Sequence, residues 1–406
     1  MAAVVGLVLL AGPLAAQDTA QVRQARDAQQ ELRTDSASQQ DVHPQDSPEY
    51  RGFVIETRDR RSSLRILGSV RASGVLDFKG LQGTRDFAVY DIPVGPSNTS
   101  DTRMYLEASQ SRFGFEAHTR QRGAPNLFVR IETDFRGDNN TLRLRHAYVT
   151  AGRFLFGQTW TTAAHVSTLP TTVDAEGPNS AITNRSTQFR YTTPLDSQTR
   201  FSVAIEAPAV DARTTDTLPV YPRIPDLVAR VRRARDGREL QVAGILRSVA
   251  ARDSLGIPDD VVGYGVAVSG RFSFRGAKDE LLFQGLYGHG VSRYVAGLSG
   301  RGLDAVQDSA TGTLYSVPVG GGYVSYGRLL RWGMKAYATI GYTRVTNRSF
   351  EPPTAYHRGG YLAASAFRDF VWGARAGAEV TWGRRQNKNG ESDTAVRFQC
   401  IVYYDF

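Results

Sequence analysis

The chain contains a single cysteine, Cys400, so no internal disulfide can staple its fold. Cys400 itself reads as a small apolar residue, and no cysteine near the N-terminal apolar stretch suggests a lipid anchor. Lysine is nearly as scarce. Only Lys79, Lys278, Lys335 and Lys388 appear among the 49 basic residues, and the rest are arginine. Guanidinium groups favour bidentate contacts with carboxylate and phosphate. Long apolar runs are also missing, which excludes spanning helices; the one run, Met1 to Ala16, is too short and reads as an export signal. Catalytic and metal patterns are absent too. The six histidines (His43, His118, His146, His165, His289, His357) are scattered without ligand spacing, and no GxSxG elbow occurs. No metal and no cofactor are expected.

Charge is unevenly spread. Residues 1–50 carry three Arg and seven acids, so the formal net charge of +9 leaves +13 for the remainder. Basic charge can attract nucleic acid, but an exported chain with no basic helix or recognition motif does not point there. Three regions are expected: a signal peptide at 1–16, a periplasmic segment at 17–50, and a barrel at 51–406. Gln17 to Gln40 is rich in Gln, Ala and Arg, with Val22, Ala25, Gln29 and Leu32 at coiled-coil spacing over roughly two heptads. It reads equally as a short helical coiled coil or as a disordered tether.

From Leu64 onward the hydrophobic period is two. Leu64, Ile66, Gly68, Val70, Ala72, Gly74, Leu76 and Phe78 share one side of the first segment, with Arg65, Ser69, Arg71, Ser73 and Asp77 on the other. Sixteen such segments follow one another, beginning near 64, 103, 127, 142, 154, 185, 199, 226, 239, 261, 280, 317, 332, 360, 371 and 395. Many have the nine to eleven residues or so that a tilted strand needs to cross a bilayer. The last segment alternates from Val396 to a terminal Phe406. Connections alternate in length. The longer series is 79–102, 136–141, 161–184, 207–225, 249–260, 289–316, 346–359 and 384–394, and turns such as Asp236-Gly237-Arg238 separate them. Segregation of loop length by parity belongs to membrane barrels, which have short periplasmic turns and longer outer loops. Trp332, Trp372, Trp382 and Tyr404 are candidates for the interfacial aromatic girdles. The expected fold is all-β: a 16-stranded antiparallel transmembrane β-barrel in the bacterial outer membrane, surrounded by lipid bilayer and lipopolysaccharide.

Alternation assigns a lumen face. It places inside Arg65, Arg71, Arg112, Arg130, Arg143, Arg145, Arg190, Arg200, Arg375 and Arg397, outnumbering acids such as Glu116, Glu132, Asp134, Glu206 and Glu379. An Arg-rich lumen favours small anions. If 136–141 is a hairpin loop, Asp134 faces Arg143 and Glu132 faces Arg145, so these two Arg are either wall struts or solute ligands. Arg130 then falls opposite Ala147, has no such partner, and is the better solute-binding candidate, with Arg190 beside it.

The stretch Asp134-Phe135, Leu142-Arg143-Leu144-Arg145-His146-Ala147-Tyr148 and Gly157-Gln158-Thr159-Trp160 resembles the DcaP-like trimeric outer-membrane porins. Pro170, Thr172, Asp174, Gly177-Pro178-Asn179, Arg185 and Arg190-Tyr191 fit the same pattern, as does the end with Glu379, Trp382-Gly383, Asn389-Gly390, Arg397-Phe398, Tyr404 and Phe406. The resemblance implies a sixteen-stranded barrel, a homotrimer, an N-terminal periplasmic coiled coil, and uptake of small anions such as dicarboxylates. It also implies that loop 161–184 folds into the barrel as a constriction, with Asp174 and Glu176 facing an Arg wall; the alternative is an exposed surface loop. A passive anion channel is therefore expected, not an enzyme. A lipase-like barrel enzyme and an adhesin-type barrel are the alternatives.

Overall fold

The computed structural model describes residues 52–81, 85–96, 98, 101–120, 123, 125–214, 224–252, 258–370 and 373–406. The expected signal and periplasmic segments, and Trp372, lie outside them. Sixteen antiparallel strands close into one barrel. They are β1 (Ser62–Lys79), β2 in two pieces (Arg103–Glu107 and Arg112–Thr119), β3 (Leu127–Asp134), β4 (Arg143–Ala151), β5 (Phe154–Trp160), β6 (Arg185–Pro194), β7 (Thr199–Glu206) and β8 (Asp226–Arg235). The second half comprises β9 (Arg238–Arg252), β10 (Pro258–Phe274), β11 (Asp279–His289), β12 (Pro318–Leu329), β13 (Met334–Val345), β14 (Tyr356–Asp369), β15 (Ala374–Asn387) and β16 (Ser392–Asp405). Closure is required because an open edge in hydrocarbon would leave backbone amides without partners.

The seam joins the chain's two ends. Asp405 pairs with Ser69 and Val396 with Lys79, so the terminal strand lies along β1 as its alternation demands. Below that seam Phe53–Glu56 forms a short arm on the same edge of β1, pairing Phe53 with Ile66 and Glu56 with Ser63. Burial follows the period of two. Val70, Phe113, Phe115, Ile131, Phe189, Ile205, Val266 and Ile340 are exposed outward, whereas Arg71, Glu116, Arg130, Glu132, Gln188, Arg190 and Glu206 are buried inward.

Loop lengths depart from expectation in two places. The segments 249–260 and 384–394 are mostly strand, since β9 runs to Arg252, β10 starts at Pro258, β15 reaches Asn387 and β16 starts at Ser392. Strand pairing continues there beyond the apolar stripe, because a backbone ladder needs no apolar side chain to propagate.

Loops fill much of the lumen. Val166, Leu169 and Ile182 from the 161–184 loop pack with Val291, Tyr294, Val295 and Leu298 from the 290–317 loop against wall residues Trp160, Val228, Ile245, Leu286 and Tyr323. A second cluster joins Leu81, Phe87, Val89 and Ile92 to Tyr361 and Ala395. The apolar core is therefore inside the barrel, and a cavity lies on the β2–β6 side.

Candidate functional site

Loop 161–184 crosses the lumen because inward side chains on several strands hold its backbone. On β7, Glu206 accepts from Thr161 Oγ1 at 2.7 Å and from the Thr162 amide at 2.6 Å. Gln284 of β11 accepts from the Ile182 amide at 2.8 Å, and on the far wall Glu379 accepts from the Val173 amide at 2.9 Å. Ser365 donates to the Thr171 carbonyl at 2.7 Å. Each anchor satisfies a loop amide or carbonyl that would otherwise be buried without a partner. Gly157, just before the loop, has φ of 121° and a backbone so close to β4 that a Cβ would sit 2.2 Å from the Ala147 carbonyl oxygen. Only glycine fits there.

Between this loop and the β2–β6 wall lies a cavity of about 230 Å³. Its charged lining is Arg112, Arg136, Arg143, Arg145 and Arg185, opposed by Asp86 and Glu176. The Arg185 guanidinium carbon lies 3.7 Å from the Trp160 ring centroid, a stacked cation–π contact that holds the fork flat. Arg136 meets Asp86 at 2.5 Å, yet its Nη1 has no hydrogen-bond partner among the described residues. Glu176 likewise leaves Oε1 without one. Burial of that carboxylate, with Asp86 and Asp174 nearby, pushes Glu176 well above its ordinary pKa.

A β-bulge shapes the wall. Glu132 pairs with His146 and Thr133 with Leu144, so Arg145 is the extra residue and both Arg145 and His146 are buried inward. Arg143 grips Asp134 with two bonds, 3.0 and 2.7 Å, while Arg145 reaches Glu132 at 2.6 Å and Asp134 at 3.0 Å. Both Arg are paired as wall struts and also line the cavity. Asp134→Asn is expected to lower the temperature at which the barrel's heat-modifiable gel mobility shifts. Charge exchange at the hairpin instead (Asp134→Arg with Arg143→Asp) does not return the wild-type temperature, because Arg145 then meets an arginine; full recovery would contradict this arrangement.

The same bulge overturns the expectation for Arg130. One extra residue moves Tyr148, not Ala147, opposite it. Arg130 is buried, bonded to Glu132 and 3.4 Å from Glu116, which it faces across the β2–β3 ladder. It is a wall strut. Arg65 lies 3.7 Å from the same Glu116. Arg190 is buried low on β6 beside the 152–153 turn, outside the cavity lining. Arg71 stacks on Tyr403 at 4.7 Å, Arg375 pairs with Asp369 and donates to the Tyr403 hydroxyl at 3.1 Å, and Arg200 follows the 195–198 turn; none lines the cavity.

Arg397 is fully buried, donating to both Asp77 oxygens at 2.6 and 3.0 Å and lying 3.8 Å from Asp174. Asp174 does meet an arginine, but from beneath the loop. It accepts from the Phe87 amide at 2.8 Å and from Gln399 at 3.2 Å, so it anchors the 80–102 loop and is absent from the cavity lining. Glu176 alone of the expected loop acids lines the cavity.

Sequence reading missed Arg136, Arg185, Asp86 and Trp160. Arg136 has inward parity just past the end of β3, so extending that strand by one step would have found it, whereas Arg185 has the outward parity of Phe189 and reaches the cavity only because it stacks on Trp160 at the strand end. Nothing local marks Asp86, which arrives from a distant loop.

Comparison with known proteins agrees with this architecture. The family model described as DcaP outer membrane protein matches residues 56–305. A search of the curated proteins found none that matches the sequence. Among solved structures, the outer membrane channel DcaP of Acinetobacter baumannii is 20% identical, with 87% of this chain and 99% of that chain covered at a TM-score of 0.73. An anion-selective porin from Comamonas acidovorans is 11% identical, covering 85% and 100% at 0.56. The trimer form of OmpT of Vibrio cholerae is 14% identical, covering 85% and 99% at 0.55.

Proposed function

The chain belongs to the DcaP outer membrane protein family and is a channel protein of the bacterial outer membrane, and on that premise we propose that it passes small anions passively. The observation that carries this reading is the cavity lining, in which five guanidinium groups oppose two carboxylates. Low-dielectric walls focus the field of such a cluster and concentrate ions of opposite sign. The bidentate geometry of guanidinium favours carboxylates, so dicarboxylates are the preferred solute class. The unpartnered Arg136 Nη1 is a donor ready for one. The anion-selective porin from Comamonas acidovorans and the trimer form of OmpT share the fold, which supports anion preference and a homotrimer here.

A planar-bilayer recording in a KCl gradient tests the proposal. The expected reversal potential is that of an anion-preferring pore, with current blocked by millimolar dicarboxylate; a cation-preferring reversal potential would overturn it. Because Glu176 has a raised pKa, it is neutral at low pH and gains charge as pH rises through that value. Anion preference is therefore greatest in acid and declines toward alkaline pH, and Glu176→Gln flattens the profile. An unchanged slope in that variant would remove Glu176 from the conducting path.

A further inference from the structure

The outer wall carries a charge cluster that the conduction path does not use. At the loop end of β13 and β14, Arg344 and Arg358 face each other directly across the ladder, both exposed outward. Along the next outward row, Arg384 of β15 lies opposite Gly360. Among the described residues, no carboxylate comes within ion-pair distance of these three guanidinium groups. Arg358 donates to Gln386 and Arg384 donates to Ser392 Oγ at 2.9 Å, which are neutral partners. Like charges placed directly across a ladder destabilise it. At the corresponding height β9, β10 and β11 present Leu246, Tyr264 and Tyr287 outward.

Toward the barrel's midplane the same three strands form an apolar groove of about 390 Å³, lined by Ala338, Ile340, Leu362, Ala364, Val380 and Trp382. Ala338 and Ala364 sit opposite each other as its low floor, with Leu362 and Trp382 paired in the next row. Gly360, between the arginines and the groove, has open space where a side chain would be. At about 3.3 Å per residue the groove begins roughly 7 to 13 Å along the strands from the backbone positions of the three arginines. Three anion-binding forks set above an apolar trough match one kind of molecule, an amphiphile with a phosphorylated head and acyl chains. The long-loop end of an outer-membrane barrel faces outward, so the site lies at the level of the outer leaflet.

We propose that the outer face of β13–β15 binds the phosphorylated glycolipid of that leaflet, lipopolysaccharide. Arg344, Arg358 and Arg384 hold a lipid A phosphate, and an acyl chain lies in the groove. The phosphate relieves the repulsion between Arg344 and Arg358, so binding also tightens the β13–β14 pairing.

The test is native mass spectrometry of the detergent-purified full-length protein titrated with bis-phosphorylated lipid A, dephosphorylated lipid A or phosphatidylethanolamine. Wild type is expected to retain bis-phosphorylated lipid A at least tenfold more tightly than either control lipid. The triple variant Arg344→Ala, Arg358→Ala, Arg384→Ala loses that preference, whereas Arg368→Ala, outward at the opposite end of β14, keeps it. Should the alanine variant fail to assemble, the corresponding triple lysine variant retains charge and is expected to keep a reduced preference for phosphate. Filling the groove with Ala364→Trp weakens binding of the acylated lipid without abolishing the phosphate preference. Equal retention of all three lipids by wild type, or unchanged binding in the alanine variant, would overturn the proposal. Loss of the oligomer with lipid binding intact would assign this face to contact between copies instead.

Discussion

Replacing Arg112 and Arg185 together by glutamate is expected to reverse the ion preference of the channel. The cavity holds Arg112, Arg136, Arg143, Arg145 and Arg185 against Asp86 and Glu176, a formal excess of three positive charges. With both replacements, and at a pH where Glu176 is ionised, three guanidinium groups face four carboxylates, and the sign of the lining changes. On the proposed path a permeating ion passes within contact distance of these groups. A unit charge at 4 Å is worth about 1 kcal/mol in bulk water and about 4 kcal/mol at an effective dielectric near 20, and salt at 0.1 M screens such interactions only beyond roughly 10 Å. Changing two of the seven charged groups therefore outweighs the remaining excess. The measurement is the sign of the reversal potential across a KCl gradient, expected to flip. Retention of anion preference in the double variant would mean that ions bypass this cavity. Arg190→Gln serves as the contrast: it lies outside the lining, so its variant conducts with unchanged selectivity.

The second large effect concerns the support of the constriction. Arg397→Met removes a guanidinium that donates to both oxygens of Asp77 and to the Arg85 carbonyl at 3.2 Å, and stands 3.8 Å from Asp174. Asp77 is then a buried carboxylate without its counter-charge, a change that costs about 3–5 kcal/mol. Two of the loops that narrow the lumen depend on this node, because Asp174 carries the Phe87 amide as well as the 161–184 backbone. The expected result is a lower temperature for loss of the folded gel band and a higher single-channel conductance. Arg397→Lys retains the charge but not the fork, and so falls between wild type and Arg397→Met. A stable Arg397→Met barrel with wild-type conductance would show that the loops hold themselves in place.

Much of the architecture is local information. A period of two from Leu64 to Phe406, with Phe113, Ile131, Phe189 and Val266 on one side and Arg71, Glu132, Arg190 and Arg397 on the other, is written residue by residue. One side must meet lipid and the other water or protein, and backbone groups in lipid must close on one another. Strand count, closure and the pairing of the last strand with Ser69–Lys79 follow from that pattern.

The assignment of individual arginines does not follow from it. Parity says that Arg112, Arg130, Arg190 and Arg397 point inward, but it cannot distinguish a side chain beside open space from one sealed under a loop. The bulge at Arg145 shifted every later pairing on β4 by one residue, and a bulge is one extra residue that no alternation pattern announces. Asp174 and Arg397 lie more than two hundred residues apart in sequence yet 3.8 Å apart in the barrel. By itself the sequence determined which residues face inward, because lipid and lumen sort side chains at every second position. Only the tertiary structure decided which of those line open space, because that depends on how the long loops fill a closed cylinder and which ion pairs they complete.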